Sequence, residues 1–264
     1  ACSGLGASAA TALRSGLRRP RSALGASRPC CAWATPLVTF GERFRGPREI
    51  PDGLRYRTDF VEPEEEEELL RVLDGEGSAW ARHIRRAQQF FGLVYYQTTH
   101  AVPALQPTGS AARGRPLEDL PSWLLPRLRA AGVLGGKRQV TQVQANEYLE
   151  DSGIGLHVED PAAGSEFATL SLLAPVQLTL MRAVNGKPVN PDQRDERDFL
   201  KVLLEPRSLL VLEGESRYDF AHAIRQSRLV PLRSGKTLRR DGDYRRVSLT
   251  FRSLLEEERS VNRR

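Results

Sequence analysis

Past residue 138 the apolar positions of this chain fall in short runs: QVTQVQANEYL, FATLSLLAPVQLTL, DFLKVLLEPRSLLVLEG and YRRVSLTFRSL. Each run is rich in leucine or β-branched residues and bounded by turn formers, which predicts strands. Several short strands at this spacing suit a sandwich or jelly roll, whose open mouth can hold a small ligand. Upstream the pattern changes. EPEEEEELLRVLD (62–74) sets Pro63 at a first helical position, acids in the first turns and Leu69, Leu70 and Leu73 behind them, which predicts an acid-capped helix with a solvated glutamate face. PLEDLPSWLLPRLRAAG (116–132) returns to helical spacing, with Leu120, Trp123, Leu124 and Leu128 on one side and an interruption at Pro126. IRRAQQFFGLVYY (84–96) joins basic residues to aromatics, while 99–116 and 185–198 are loop-like. The fold class expected is mainly β with flanking helices (α+β).

The 264 residues, 40% of them hydrophobic, suffice for one substantial core with a tail. No window of eighteen uninterrupted apolar residues occurs, so no membrane partner is expected. Cys2, Cys30 and Cys31 all lie in the first 31 residues, so disulfides do not hold the body together. The net charge of +6 is unevenly placed. Five of the 39 bases (Arg14, Arg18, Arg19, Arg21 and Arg28) precede residue 41 with no acid beside them, which leaves 34 bases against 33 acids in the rest. An Ala-, Ser- and Arg-rich segment without acids has the composition of an organellar transit peptide, mitochondrial or plastid; the other reading is a disordered leader on a cytoplasmic or nuclear protein. The division expected is therefore 1–41 as disordered targeting segment, 42–137 as helices and a lid, 138–256 as the β domain and 257–264 as a tail.

Among only four histidines, His157 and His222 have informative neighbours. In GIGLHVEDPAAG (153–164), residues two apart on an extended segment point the same way, so His157 and Glu159 aim at one point and Asp160 points away unless the strand bulges. His222 in GESRYDFAHAI (214–224) is available as a third ligand. Two histidines and a carboxylate form the facial triad of non-haem Fe(II) oxygenases, although zinc accepts the same donors. In RVSLTFR (246–252), alternation puts Arg246, Ser248, Thr250 and Arg252 on one face. If that face is inward, the two arginines need anions, and a small dicarboxylate matches their forks; the alternative is an edge strand with surface arginines.

The order N-x-Y, H-x-acid, a distant H and R-x-x-x-x-x-R resembles the AlkB family of Fe(II)- and 2-oxoglutarate-dependent dioxygenases. Here these elements are Asn146 and Tyr148, His157 and Glu159, His222, and Arg246 and Arg252, with Glu159 where the family usually has Asp. FFGLVYY, TLSLLAP and PRSLLVLEGESRYDFAHAI are similar to the eukaryotic branch that includes the transfer-RNA wobble-uridine hydroxylase. The resemblance implies a double-stranded β-helix (jelly roll) core. It also implies Fe(II) on His157, Glu159 and His222, with 2-oxoglutarate and O₂ as cosubstrates. Arg246, Tyr148 and Ser248 would hold the distal carboxylate of 2-oxoglutarate, and Arg252 and Asn146 would lie near its chelating end.

By the same resemblance an N-terminal lid grips nucleotide, and Arg85, Arg86, Phe90 and Tyr96 are the residues expected to supply phosphate contacts and stacking surface. Phe91 and Tyr95 could equally fill the core. Nine bases and two acids between Arg225 and Arg252 would add a phosphate-attracting patch. The substrate expected is a modified base in nucleic acid, RNA favoured over DNA. The alternatives are an oxygenase of protein side chains and a binding protein that keeps the fold without turnover. Oligomeric state has no signal in the sequence.

Overall fold

The computed structural model describes residues 32–45, 47–82, 85–94, 114–135, 138–184, 187–188 and 198–254. In chain order the strands are β1 (Val38–Phe40), β2 (Leu54–Arg57), β3 (Ala87–Gly92), β4 (Gln142–Leu149), β5 (Ile154–His157), β6 (Glu166–Leu172), β7 (Val176–Val184), β8 (Lys187–Pro188), β9 (Leu200–Leu204), β10 (Leu209–Glu213), β11 (Phe220–Ile224), β12 (Leu229–Pro231), β13 (Thr237–Arg239) and β14 (Arg245–Arg252). The helices are α1 (Pro63–Asp74), α2 (Leu124–Ala130) and the short α3 (Gly214–Tyr218). One sheet runs β2-β10-β6-β14-β4-β3; the second runs β1-β9-β7-β11-β5, with β8 added to β7; β12 and β13 form a separate hairpin. Every named pairing within them is antiparallel.

Strand β14 shows how the two faces of the first sheet divide. Val247, Leu249 and Phe251 are fully buried in a cluster with Leu69 and Leu73 of α1 and Leu124 and Leu128 of α2, so the helices cover the outer face. The other cluster joins Tyr148, Phe167, Leu210 and Leu212 of the first sheet to Leu178, Leu180, Val202 and Ile224 of the second. The jelly roll is thus a two-sheet interior with helices packed behind one sheet. Strands β1, β2 and β3 belong to these sheets, so residues 38–92 contribute to the same architecture as 142–252.

Two local expectations are corrected. Pro126 does not interrupt a helix, because α2 begins at Leu124 and the proline falls in its first turn, where no N–H is needed. The glutamates of α1 are not merely a solvated face. Glu65 pairs with Arg127, Glu66 accepts from the Leu173 N–H at 2.7 Å, and Glu68 accepts from the Trp123 indole at 2.8 Å. They dock α1 onto the body.

Candidate metal and cosubstrate site

Antiparallel register sorts the inner face of the first sheet into rows. Gln88, Asn146, Ser248 and Ser171 form one; Phe90, Gln144, Thr250 and Thr169 the next; Gly92, Gln142, Arg252 and Phe167 a third. Tyr148 and Arg246 pair beyond the first row. Apart from Ser171 and Gly92, the residues of these rows, with the strand β5 and residues such as Leu178, Leu204 and Ile224, line a cavity of about 590 Å³, within the range of small-ligand sites.

His157 ends β5 directly opposite His222 on β11, and their ring centroids are 4.2 Å apart. Glu159 follows two residues later, and one donor atom from each of the three side chains lies within 4.8 Å of the others. The Nδ1 of His157 donates to the Gly155 carbonyl at 2.8 Å, which leaves its Nε2 lone pair for a ligand role. Asp160 is engaged elsewhere: its carboxylate accepts from the Ala162 N–H at 2.8 Å and caps the turn Pro161–Ala163. Gly164 closes that turn at φ +81, where an added Cβ would meet the Ser253 carbonyl at 2.8 Å.

Arg217, 1% exposed, fixes the turn from the other side. It donates to the carbonyls of Glu159 at 2.8 Å, Asp160 at 2.7 Å and Gly164 at 3.2 Å. Sequence reasoning gave it no role. It sits in a five-residue helix whose direction no periodicity reveals.

Burial tends to raise the Glu159 carboxyl, but the charge of Arg252, then His222 and His157, outweighs it and holds the group down at about 2. Burial, followed by the neighbouring His157, pushes His222 down to about 3, and burial lowers His157 as well. A carboxylate and two neutral imidazoles are the protonation states that a divalent metal requires.

Arg246 and Arg252 both point inward, not to the surface. Arg246 is 1% exposed, donates to Ser171 Oγ at 2.9 Å and lies over the Tyr148 ring. Among the described residues its Nε and Nη1 are buried without a hydrogen-bond partner, as is the Nε of Arg252. Orphaned guanidinium donors at both ends of the inward face of β14 fit a small dicarboxylate, because unpaired buried donors are costly. Arg252 also donates to Gln142 at 3.0 Å, Gln144 at 2.8 Å and Glu159 at 2.9 Å. Asn146 accepts from Arg86 at 3.2 Å and Gln88 at 3.0 Å. Gln142 and Gln144 were readable by extending alternation backwards from Asn146 and Tyr148.

The mouth is only partly as expected. Arg86 and Phe90 line the cavity; Arg85 is exposed and does not, because it precedes β3 with its side chain in solvent. Phe91 is core, and Tyr95 and Tyr96 lie outside the described residues. Part of the basic excess of 225–252 is committed internally: Arg246 and Arg252 face the cavity, Arg240 binds the carbonyls of Arg225, Ser227 and Ser152, and Arg245 pairs with Glu147 and Asp74. Arg228, Arg233, Lys236 and Arg239 remain exposed.

Comparison with known proteins agrees with this geometry. The profile of the 2OG-Fe(II) oxygenase superfamily matches residues 53–252. The protein named "Probable RNA/DNA demethylase ALKBH6" of Danio rerio is 30% identical over 184 residues, which span 67% of this chain and 71% of that protein. The mitochondrial alpha-ketoglutarate-dependent dioxygenase alkB homolog 7 of Bos taurus is 30% identical over 211 residues, spanning 78% of this chain and 81% of that protein. The structure of OsALKBH1 superposes with a TM-score of 0.50 at 15% identity, covering 78% of this chain and 99% of that one, and so shares the fold.

Proposed function

Because this chain belongs to the 2OG-Fe(II) oxygenase superfamily, on its AlkB-like branch, it is an Fe(II)- and 2-oxoglutarate-dependent dioxygenase, and we propose that it oxidises a modified base in nucleic acid, RNA favoured over DNA. In this reading iron is held by His157, Glu159 and His222, the three side chains whose donor atoms converge. The distal carboxylate of 2-oxoglutarate meets Arg246, with Tyr148 and Ser248 beside it, and the chelating end lies near Arg252 and Asn146. Bound there, iron and 2-oxoglutarate supply oxidation of a substrate C–H bond by O₂, with release of succinate and CO₂.

The protein's own part is placement. The Arg217-bound turn and Arg252 aim the Glu159 carboxylate, and the Gly155 carbonyl fixes the His157 ring. The leucines of β7, β9 and β10 exclude water from the interior end of the cavity.

The observation that carries the choice of substrate is that Arg86 and Phe90 both line the cavity, a cation and an aromatic ring of the kinds a flipped-out or single-stranded base meets. The name of the Danio rerio relative, an RNA/DNA demethylase, supports it. The test is succinate formation by the iron-loaded protein with and without short RNA and DNA strands carrying single modified bases. Stimulation by a modified RNA is the expected result; none by any strand removes the nucleic-acid reading while leaving the oxygenase.

A mitochondrial or plastid location is part of the proposal, supported by the acid-free, arginine-bearing first 40 residues. Microscopy of a C-terminally tagged full-length gene product tests it.

A further inference from the structure

The inward rows of the first sheet stop at Arg246 and Tyr148. On β14 every second residue from Arg246 to Arg252 lines the cavity, and on β4 every second residue from Gln142 to Tyr148, but Tyr244, next in the same alternation, does not. Tyr244 is nevertheless buried, 5% exposed, so it lies in the wall behind Arg246 and not in solvent. Its place in the ladder is fixed. The Tyr244 carbonyl accepts from the Glu150 N–H at 3.3 Å and carries the β14–β4 pairing one residue past Arg245.

Tyr244 closes that end of the interior. β6 belongs to the first sheet and β7 to the second, so residues 173–175 carry the chain from one to the other. The Tyr244 hydroxyl donates to the Pro175 carbonyl on this connection at 3.1 Å. The Arg240 guanidinium lies 4.6 Å from the centroid of the Tyr244 ring, and Arg240 is itself buried and tied to the carbonyls of Ser152, Arg225 and Ser227. A ring pinned at its hydroxyl and covered by a clamped guanidinium is a rigid wall.

In the reading above, the chelating end of the cosubstrate is fixed at the metal and its distal carboxylate meets Arg246. A carbon added between them is then taken up at the Arg246 end alone, and Arg246 can retreat only into the space that Tyr244 fills. We propose that Tyr244 is the backstop that sets the length of the 2-oxo dicarboxylate, admitting the five-carbon acid and excluding its six-carbon homologue. The inference rests on the placement of the distal carboxylate at Arg246 and goes beyond it by naming what limits the chain. A close-packed wall takes an extra methylene only by displacing side chains, which makes one methylene in a closed pocket worth about 10- to 200-fold.

The test uses the full chain loaded with Mn(II) in place of Fe(II), titrated calorimetrically with 2-oxoglutarate and with 2-oxoadipate. Wild type is expected to bind 2-oxoglutarate about 10- to 200-fold more tightly than 2-oxoadipate. Tyr244→Leu, whose shorter side chain leaves room behind Arg246, is expected to bind 2-oxoadipate more tightly than wild type does and to bring the ratio close to one. Tyr244→Phe keeps the ring and loses only the hydroxyl, and is expected to keep most of the wild-type ratio. General loosening weakens both acids, so a gain for the longer acid separates a backstop from a merely structural residue. Equal binding of the two acids by wild type overturns the inference whether or not the variants fold. So does a wild-type ratio in Tyr244→Leu, or a ratio lost as fully in Tyr244→Phe as in Tyr244→Leu. Arg246→Met, titrated beside them, tests the placement underneath: if it binds 2-oxoglutarate as wild type does, the distal carboxylate is not at Arg246 and the inference falls with that placement.

Discussion

Arg252 donates to the Glu159 carboxylate at 2.9 Å, and the two side chains are almost sealed, 12% and 11% exposed. Behind it, Gln142 and Gln144 hold the guanidinium in place. The pair both ionises the acid and fixes the rotamer of a side chain one methylene longer than aspartate. Arg252→Met should therefore weaken metal binding by roughly 10- to 100-fold, as loss of a ligand's outer partner does. Calorimetric titration of the metal-free protein with Mn(II) checks this; unchanged affinity would mean that the ion pair has no part in holding the acid.

Glu159 and Asp160 are adjacent acids with different employment, and single substitutions separate them. Glu159→Ala should abolish Mn(II) binding. Asp160→Ala should retain it and cost about 1 kcal/mol of stability, the usual loss of a cap, since its carboxylate accepts the Ala162 N–H. Thermal melts with and without Mn(II) read both effects. A metal-induced rise in melting temperature that persists in Glu159→Ala would reassign the third ligand.

Three carbonyls depend on one guanidinium at Arg217. Arg217→Met leaves them buried and should destabilise the fold by about 2–4 kcal/mol. Arg217→Lys keeps the charge but offers a point donor without a fork, and should keep the fold while losing the alignment of the turn. Its signature is a smaller metal-induced rise in melting temperature than wild type. If Arg217→Lys gains as much stability from Mn(II) as wild type does, the residue holds the turn without influencing the ligand.

What could be read in advance depended on distance along the chain. Strand β14 has two unlike faces, so alternation alone separated Arg246, Ser248, Thr250 and Arg252 from Val247, Leu249 and Phe251. His157 and His222 could be nominated by residue type, but their juxtaposition needed the β5–β11 pairing, which no local pattern encodes. The glutamates of α1 show the converse. Their partners Arg127, Trp123 and Leu173 lie far along the chain, so a docking face looked like a solvated one. Part of the basic excess of 225–252 is paired out of reach of local pattern too, because Glu205 follows β9, Glu147 lies on β4 and Asp74 ends α1.

His222 and Glu159 contribute strongly to the pH response of the metal-free protein, with the lowered His157 acting in the same direction as His222. His222 is depressed to about 3, so the unfolded chain takes up a proton near pH 6.5 that the folded chain refuses, and stability falls as pH drops from about 6.5 toward 3. Glu159, depressed to about 2, adds in the same direction below pH 4.5. The loss over this window should be on the order of a few kcal/mol. Urea melts across pH 4–7 measure it, and His222→Gln should flatten the upper part of the curve. A histidine variant with the wild-type slope would place the titrating group elsewhere.

Arg246 is a full charge that, among the described residues, lacks partners for two of its three nitrogens. Such a group is tolerated when a ligand completes it, and a carboxylate does so with two charge-assisted bonds. Arg246→Met should therefore raise the half-saturating concentration of 2-oxoglutarate by about 100-fold or more, while Arg246→Lys, one point donor on a flexible stem, should recover part of the loss. A monocarboxylic 2-oxo acid of the same length provides the control, since it chelates metal but brings nothing to Arg246. Wild type should strongly prefer the dicarboxylate, and Arg246→Met should bind the two about equally. If the variant keeps the wild-type preference, the distal carboxylate lies away from β14, and the unpartnered guanidinium must answer to some other anion.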